Sequence, residues 1–206
     1  MKRLLAVLFV AACAWPQAQE APLPKGLYAI FNTSEGLITA QLYEKDTPIA
    51  VQNFVALAQG TKPWINAKGV AVRQPLYDNI TFHRVLPGQM IQAGDPTGTG
   101  SHNCGIRIRD ELLPGLRFDR SGRLAVANTG APDSGGCQFF ITVDTIREWD
   151  GKYTIFGQVV RGEDVVEKIN RLPAHGDKPV EPAKLLSVTI ERVGPEPAVK
   201  GKKKRR

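Results

Sequence analysis

Residues 82–96 have the sequence Phe82-His83-Arg84-Val85-Leu86-Pro87-Gly88-Gln89-Met90-Ile91-Gln92-Ala93-Gly94-Asp95-Pro96, and this stretch decides the fold. Apolar and polar residues nearly alternate from Ile80 to Val85, so adjacent side chains are expected on opposite faces of a sheet. Pro87-Gly88 interrupts the run as a turn does, and Gly94-Asp95-Pro96 closes it. The stretch therefore predicts strands around 80–85 and 90–93 joined by a tight turn.

The rest of the chain repeats this pattern of short strands. Residues 138–143 have the same strand character and again place an amide beside aromatic side chains. Further strands are predicted at 28–31, 36–43, 122–127, 154–159 and 186–193, and loops at 61–75, 101–119 and 128–136. One helix is predicted to open at Thr47-Pro48, with the Thr47 hydroxyl as its cap, and to end at Gly60; a second covers about 163–170. Many short strands with two isolated helices indicate an all-β barrel or sandwich.

Length and charge limit the classes of function. A chain of 206 residues can bury a proper core as one domain without metal or disulfide support. The formal net charge is +7, but six basic residues lie between 200 and 206, so the folded body is close to neutral. We therefore expect no nucleic-acid-binding face, and residues 195–206 are predicted to be a basic, disordered tail. The three histidines are too scattered along the chain to predict a metal site.

The first 18 residues have the pattern of a targeting signal. Met1-Lys2-Arg3 is basic, residues 4–12 are apolar, and Ala12-Cys13-Ala14 offers small residues for cleavage. The apolar run is too short to span a bilayer as a helix. The alternative is a buried N-terminal strand or helix, but a polar, proline-containing segment follows at once. We predict export, with residues 19–25 as a linker to the folded domain.

Cys13 adds a second interpretation of the same segment. Val10-Ala11-Ala12-Cys13 resembles a bacterial lipobox, in which the cysteine is lipidated and becomes the mature N-terminus. The other interpretation is plain cleavage near Ala14 or Ala18, and the sequence leaves both open. The predicted location is periplasmic or membrane-tethered, and contact with a membrane is expected only through such a lipid anchor.

The motifs of the central region, taken together, resemble the cyclophilin family of peptidyl-prolyl isomerases. The match comprises residues 82–95, Ala127-Asn128, Gln138-Phe139-Phe140 and Phe156-Gly157, in family order and with family-like spacing. It covers roughly Gly26 to Val193, so the predicted domain is 26–194. The resemblance implies an eight-stranded antiparallel barrel capped by two α-helices. It also implies an isomerase that needs no cofactor and forms no covalent intermediate.

The resemblance also assigns the candidate site residues. Arg84 and Gln92 match the catalytic arginine and the amide that orients it. The substrate-binding candidates are His83, Met90, Ala127, Asn128, Gln138, Phe140, Trp149 and Tyr153. Outside this motif Arg84 would be interpreted as a surface strand residue in a salt bridge, and Met90 and Phe140 as core. His83 is interpreted as a structural neighbour of the arginine, because the reaction moves no proton.

Four positions depart from the family pattern. Gln89 stands where many relatives have Phe, which removes one aromatic wall from the proline pocket. Glu148 falls where animal relatives carry the Trp that binds cyclosporin, and Trp149 occupies the next position, usually Leu. Trp149 is therefore a candidate to replace part of the lost aromatic area. Tyr153 falls where many relatives place His at the pocket rim.

Cys104 and Cys137 would face an oxidising compartment if the chain is exported. In the family fold both segments border the same part of the groove, so a disulfide between them is one interpretation. Two free, partly buried thiols are the other.

Three classes of function remain. The first is a peptidyl-prolyl isomerase that assists the folding of exported proteins, acting on proline-containing polypeptides as a monomer. The second is a non-catalytic module that binds proline peptides, with Gln89 as the first sign of decay. The third is a protein whose basic tail contacts an anionic surface, for which the alternative is a tail that only aids solubility.

Overall fold

Nine antiparallel strands form one curled sheet in the computed structural model, which describes residues 21–196. The predicted signal segment, Cys13 and most of the basic tail therefore lie outside the described residues. In chain order the strands are β1 Gly26–Thr33, β2 Gly36–Leu42, β3 Trp64–Ile65, β4 Ala71–Val72, β5 Ile80–Thr81, β6 Arg84–Leu86, β7 Met90–Ala93, β8 Arg123–Val126, β9 Phe139–Thr142, β10 Ile155–Arg161, β11 Ala174–His175, β12 Lys178–Pro179 and β13 Lys184–Val193. The helices are α1 Pro48–Ala58, α2 Glu163–Asn170 and a 3-10 turn at Arg147–Trp149.

The two edges of this sheet come from the same stretch of chain. The strand order is β5-β13-β1-β2-β10-β8-β9-β7-β6, so β5 and β6 are the ends. Only Phe82 and His83 separate them along the chain. The sheet therefore curls so that its two end strands, which are only two and three residues long, follow each other along the chain. This confirms the predicted all-β cyclophilin-like fold with two helices.

The strand count differs from the predicted eight because residues 80–85 are not one continuous strand. β5 pairs with β13 through Ile80 and Leu185, whereas β6 pairs with β7 through Val85 and Ile91. The expected alternation fails between the two strands, where both Phe82 and His83 are buried. One predicted strand is thus divided into two short strands that pair with different neighbours at the two ends of the curled sheet.

The two faces of the sheet are covered by different apolar clusters. The inner face packs a core of aromatic and aliphatic residues that includes Phe31, Phe54 and Phe139, with ring centroids 5.5–5.9 Å apart. The outer face of β7, β8 and β9 carries a second, smaller cluster around Phe118 and Phe140. Alternate residues of one strand therefore enter different clusters, as the period-two geometry of a strand requires.

Helix α1 is capped by a residue far away in the sequence, and the predicted cap is wrong. The Thr47 hydroxyl makes no capping bond and instead lies 3.4 Å from the Tyr43 carbonyl. Glu111 accepts hydrogen bonds from the Ile49 and Ala50 amides at 3.1 and 2.9 Å. A carboxylate offers one oxygen to each of the two free N–H groups, and its negative charge complements the positive end of the helix dipole. A hydroxyl has a single oxygen and no charge.

Two hairpins lie outside the main sheet, and neither was predicted. β3 and β4 pair within the segment 61–75, where Trp64 is buried and its Nε1 donates to the Gln74 carbonyl at 2.9 Å. β11 and β12 pair beyond α2. Both hairpins have strands of only two residues, which are too short to show a period in the sequence.

Helix α2 fixes the turn between β6 and β7. Its last residue, Asn170, donates from Nδ2 to the Leu86 and Met90 carbonyls at 2.8 and 2.9 Å. Its Oδ1 accepts from the Gly88 amide at 2.8 Å. Gly88 has φ +73°, a conformation that favours glycine in this turn. One buried amide side chain thus holds both ends and the middle of the predicted turn.

A disulfide joins Cys104 and Cys137, which are 33 residues apart and buried. It ties the loop that follows β7 to the residues that precede β9. Within residues 21–196 no helix is long and apolar enough to cross a membrane.

The capping role of Glu111 predicts a measurable loss of stability. Glu111→Ala should lower the free energy of unfolding by about 1–2 kcal/mol, because two amide donors and a favourable dipole interaction lose their partner. Glu111→Gln should lose less, since one oxygen acceptor remains. Denaturant unfolding measures both. Glu181→Ala is the control, because Glu181 is exposed and makes no ion pair among residues 21–196; equal stability of Glu111→Ala and Glu181→Ala would contradict the capping role.

The disulfide predicts that replacing both cysteines, Cys104→Ala with Cys137→Ala, lowers the free energy of unfolding by about 2–4 kcal/mol, because the unfolded chain regains freedom. Alkylation of the denatured domain without reductant should label neither cysteine, and reduction should expose both. Labelling of both thiols before reduction would contradict the bond.

Candidate active site

Arg84 and Gln92 face each other across β6 and β7. They are paired residues in the antiparallel ladder, so their side chains leave the sheet on the same side. Arg84 Nη1 donates to Gln92 Oε1 at 3.2 Å. Gln92 Nε2 in turn donates to Gln138 Oε1 at 2.8 Å. The guanidinium is therefore oriented by a chain of two amides, the first of which is nearly buried.

A carboxylate holds the other side of Arg84. Arg84 Nε donates to Asp177 Oδ2 at 2.7 Å, in an ion pair whose two side chains are 41% and 51% exposed. The Arg84 guanidinium lowers the pKa of Asp177, so this carboxylate is ionised at neutral pH. No sequence motif points to Asp177, because it lies in the unpredicted hairpin between β11 and β12.

Eight of the ten predicted site residues surround one cavity of about 140 Å³. These are Arg84, Met90, Gln92, Ala127, Asn128, Phe140, Trp149 and Tyr153, and Leu86 completes the lining. Pockets for drug-sized ligands run to roughly 300–1,000 Å³, so this cavity is matched to a single small side chain or ring. Leu86 was not singled out, although it lies two residues from Arg84 and therefore on the same face of β6.

Aromatic rings form the apolar wall of the cavity. Phe140 meets Trp149 and Tyr153 edge to face, with centroids 5.4 and 5.1 Å away. Phe118 stacks behind Phe140 at 5.8 Å. Edge-to-face contacts of this kind stabilise aromatic pairs beyond the area they bury. The wall therefore consists of rings that already pack against one another.

The segment after β8 supplies backbone groups at the cavity mouth. The Ala127 amide donates to the Gln138 carbonyl at 3.0 Å. The Asn128 side chain is already engaged, with Nδ2 donating to the Lys152 carbonyl of the segment before β10 and Oδ1 accepting from the Gly130 amide of its own loop. In residues 21–196 the Ala127 carbonyl and the Asn128 amide have no partner, so both are available to an extended peptide.

Gln138 lies in an adjoining cavity rather than in the first one. This second cavity has a volume of about 130 Å³ and shares Gln92, Ala127 and Asn128 with the first. Gln138 Nε2 donates to the Gly100 and His102 carbonyls, both at 3.0 Å. These carbonyls belong to the loop that the disulfide ties down, so the amide chain behind Arg84 ends on a covalently fixed segment.

His83 lines neither cavity. It is buried behind the arginine with 7% exposure, and neither ring nitrogen has a hydrogen-bond partner in the described part of the chain. Burial lowers the pKa of His83 and outweighs the nearby Asp95 carboxylate, so the ring is neutral at physiological pH. A neutral ring sealed from the cavity agrees with a structural role rather than substrate contact.

Two of the departures from the family pattern, Gln89 and Glu148, lie where they do not block the cavity. Gln89 and Glu148 are both exposed, and neither contributes to the lining. Trp149 does line it, at the end of the 3-10 turn. Trp149 thus contributes aromatic area to the cavity, whereas Gln89 contributes none.

The chemistry open to this site is electrostatic and steric. The cavity offers an apolar ring slot, a fixed cation at its edge and free backbone groups at its mouth. No group of three or more metal-ligating side chains occurs within residues 21–196. No nucleophile with an adjacent base lines the cavity either. Such a site can bind a peptide and stabilise a charge distribution on it.

Comparison with known proteins gives a consistent result. Residues 28–190 match the family model for cyclophilin type peptidyl-prolyl cis-trans isomerases. Peptidyl-prolyl cis-trans isomerase A of Mycobacterium tuberculosis is 44% identical over 167 residues, which cover 79% of this chain and 91% of that protein. Peptidyl-prolyl cis-trans isomerase B of Streptomyces anulatus is 41% identical, covering 80% and 97% of the two chains.

A solved structure of a Cryptosporidium parvum cyclophilin type isomerase, determined in the presence of the dipeptide Ala-Pro, is similar in fold. Its TM-score is 0.69 at 30% identity, and the match covers 81% of this chain and 99% of that one. With a family model spanning most of the chain, relatives above 40% identity and a curled antiparallel sheet that carries the family's motifs around one cavity, this chain belongs to the cyclophilin family of peptidyl-prolyl cis-trans isomerases.

Proposed function

We propose that this protein catalyses the cis-trans isomerisation of X–Pro bonds in polypeptides and assists the folding of exported proteins. The observation that carries the catalytic part is Arg84. Its guanidinium is held at the edge of a ring-sized apolar cavity by Asp177 and Gln92, with N–H groups left over. The related Cryptosporidium structure was determined in the presence of Ala-Pro, which supports a proline ligand for this cavity.

The reaction requires only that a twisted amide be stabilised. Resonance gives the C–N bond a rotational barrier of about 18–20 kcal/mol, and X–Pro bonds interconvert in tens to hundreds of seconds. In the twisted state conjugation is lost, and the prolyl nitrogen becomes pyramidal and basic. A cationic donor beside that nitrogen or the carbonyl binds the twisted state better than either planar isomer, which is the condition for catalysis.

The parts of the site divide this work. The Met90, Phe140 and Trp149 side chains hold the proline ring, while the free groups of Ala127 and Asn128 hold the backbone before it. With both ends held, rotation is confined to the one bond between them. Arg84 then meets the amide at a fixed position, so little reorganisation is needed during rotation.

A non-catalytic proline-binding module is the alternative. Such a module would need the same cavity to bind proline, but it would not need an arginine held in one orientation. The ordering of Arg84 through two partners therefore favours catalysis. Turnover in a protease-coupled assay on X–Pro peptides distinguishes the two functions.

Arg84→Ala should lower kcat/KM by the equivalent of about 2–4 kcal/mol, because a preorganised donor acting in the transition state is lost. The melting temperature should change little, since an exposed ion pair contributes about 1 kcal/mol or less. The matched control is Arg171→Ala, which removes an exposed arginine paired with Glu167 at 2.6 Å away from the cavity. Near-full activity of Arg84→Ala would rule out the assigned role.

Two features support the export part of the proposal. The predicted signal segment is one, and the buried disulfide is the other, because disulfides persist mainly in oxidising compartments. A cyclophilin domain there would meet newly exported chains whose X–Pro bonds still need to isomerise.

Mass spectrometry of the protein from its native host tests export. The mature chain should lack about the first dozen residues or slightly more, as signal cleavage requires. Acyl chains on Cys13 would identify a lipoprotein, whereas an unmodified start at Ala14 or Gln19 would identify plain cleavage. Recovery of an intact Met1 would overturn export.

A further inference from the structure

Asp177 occupies a defined position in the tight turn between β11 and β12. The ladder pairs Ala174 with Pro179 and His175 with Lys178, so Gly176 and Asp177 form a two-residue loop. Gly176 has φ +65°, which suits the first central position of such a turn. The geometry of the turn, rather than a flexible loop, therefore determines where Asp177 lies.

Asp177 contacts two successive residues of β6. Its carbonyl accepts a hydrogen bond from the Val85 amide at 2.8 Å, while its carboxylate accepts from Arg84 Nε at 2.7 Å. The backbone bond does not depend on the side chain. Replacing the carboxylate should therefore leave the hairpin attached to β6 and change only the environment of the guanidinium.

The two partners of Arg84 fix the plane of its guanidinium. Asp177 accepts from Nε, and Gln92 accepts from Nη1. A planar group held at two of its nitrogens cannot rotate about its side-chain axis without breaking one of the bonds. Arginine has five N–H donors, so three remain for a substrate.

The carboxylate has a second effect, on charge. Without it, Arg84 would be a lone cation at the rim of an apolar cavity, which is a favourable place for an inorganic anion. With it, the pair is neutral overall. An X–Pro amide carries no net charge, so neutralisation costs nothing in substrate recruitment and discourages anions from occupying the site.

We propose that Asp177 is a positioning residue of this isomerase, holding Arg84 in its productive orientation and keeping anions out of the proline site. The inference rests on the isomerase activity proposed above. It adds to that function a residue from a hairpin that carries none of the motif positions.

The test compares four proteins: wild type, Asp177→Ala, Asp177→Asn and Lys178→Ala. Lys178 is the matched control, because it is an exposed charged residue of the same hairpin and, among residues 21–196, has no hydrogen bond or ion pair with Arg84. For Asp177→Ala, kcat should fall about tenfold. This is more than the loss of a weak, exposed ion pair would cause, and less than the roughly hundredfold loss of rate that follows a 1 Å misplacement of a catalytic group. KM should change little, because the ring slot and the backbone groups are untouched.

Asp177→Asn separates orientation from charge. Its amide oxygen can still accept from Nε, so it should retain more of kcat than Asp177→Ala. Both Asp177 variants should be inhibited by sodium sulfate at concentrations that leave wild type and Lys178→Ala unaffected, with sodium chloride used to hold the ionic strength constant. A residue that only stabilised the hairpin would produce no such sulfate sensitivity.

A measurement independent of activity completes the test. The Arg84 Nε–H signal in a ¹⁵N-labelled sample should shift in Asp177→Ala and stay in place in Lys178→Ala. Wild-type activity together with Asp177→Ala kinetics and sulfate response equal to those of Lys178→Ala would overturn the positioning role. An inactive wild type would instead overturn the proposed function, and the Arg84 signal would still show whether Asp177 holds the guanidinium.

Discussion

The register of β6 against β7 is the constraint on which the site depends. Arg84 lies opposite Gln92 and Leu86 lies opposite Met90, so these four side chains emerge on one face of the sheet. Gln92 is paired in turn with Phe140 on β9, which extends the row across a third strand. A slip of one residue would send all of these side chains into the barrel core and bring Val85 and Ile91 out. Asn170 stabilises that register at the β6–β7 turn, through its hydrogen bonds to Leu86, Gly88 and Met90.

Local patterns predicted the elements that depend on local physics. The Pro87-Gly88 turn, β7 at 90–93 and α2 at 163–170 match the structure, because turn chemistry and hydrophobic period are visible in a few neighbouring residues. Eight of the ten site residues that the resemblance assigns also line one cavity in the structure. Their individual roles stay predictions until variants are measured.

The features that the sequence did not indicate all depend on contacts between distant segments. Glu111 reaches the start of α1 across 62 residues, and Asp177 reaches Arg84 across 93. No periodicity in the sequence reflects such contacts, so the sequence points to a local cap at Thr47 and gives no ion-pair partner for Arg84. From the sequence a salt bridge and a catalytic role are alternatives for Arg84, whereas the structure has a salt bridge at the very residue that the motif selects.

Catalysis by the ordered Arg84 guanidinium is what would distinguish this protein from a mere binder of proline peptides. Two-dimensional NMR exchange spectroscopy on an X–Pro peptide tests this without a coupling protease. Catalytic amounts of the purified domain should produce cross peaks between the cis and trans signals of the peptide, and Arg84→Ala should abolish them while the peptide still binds. Chemical-shift changes that report binding by the wild-type domain, with no cis-trans cross peaks at any protein concentration, would contradict it.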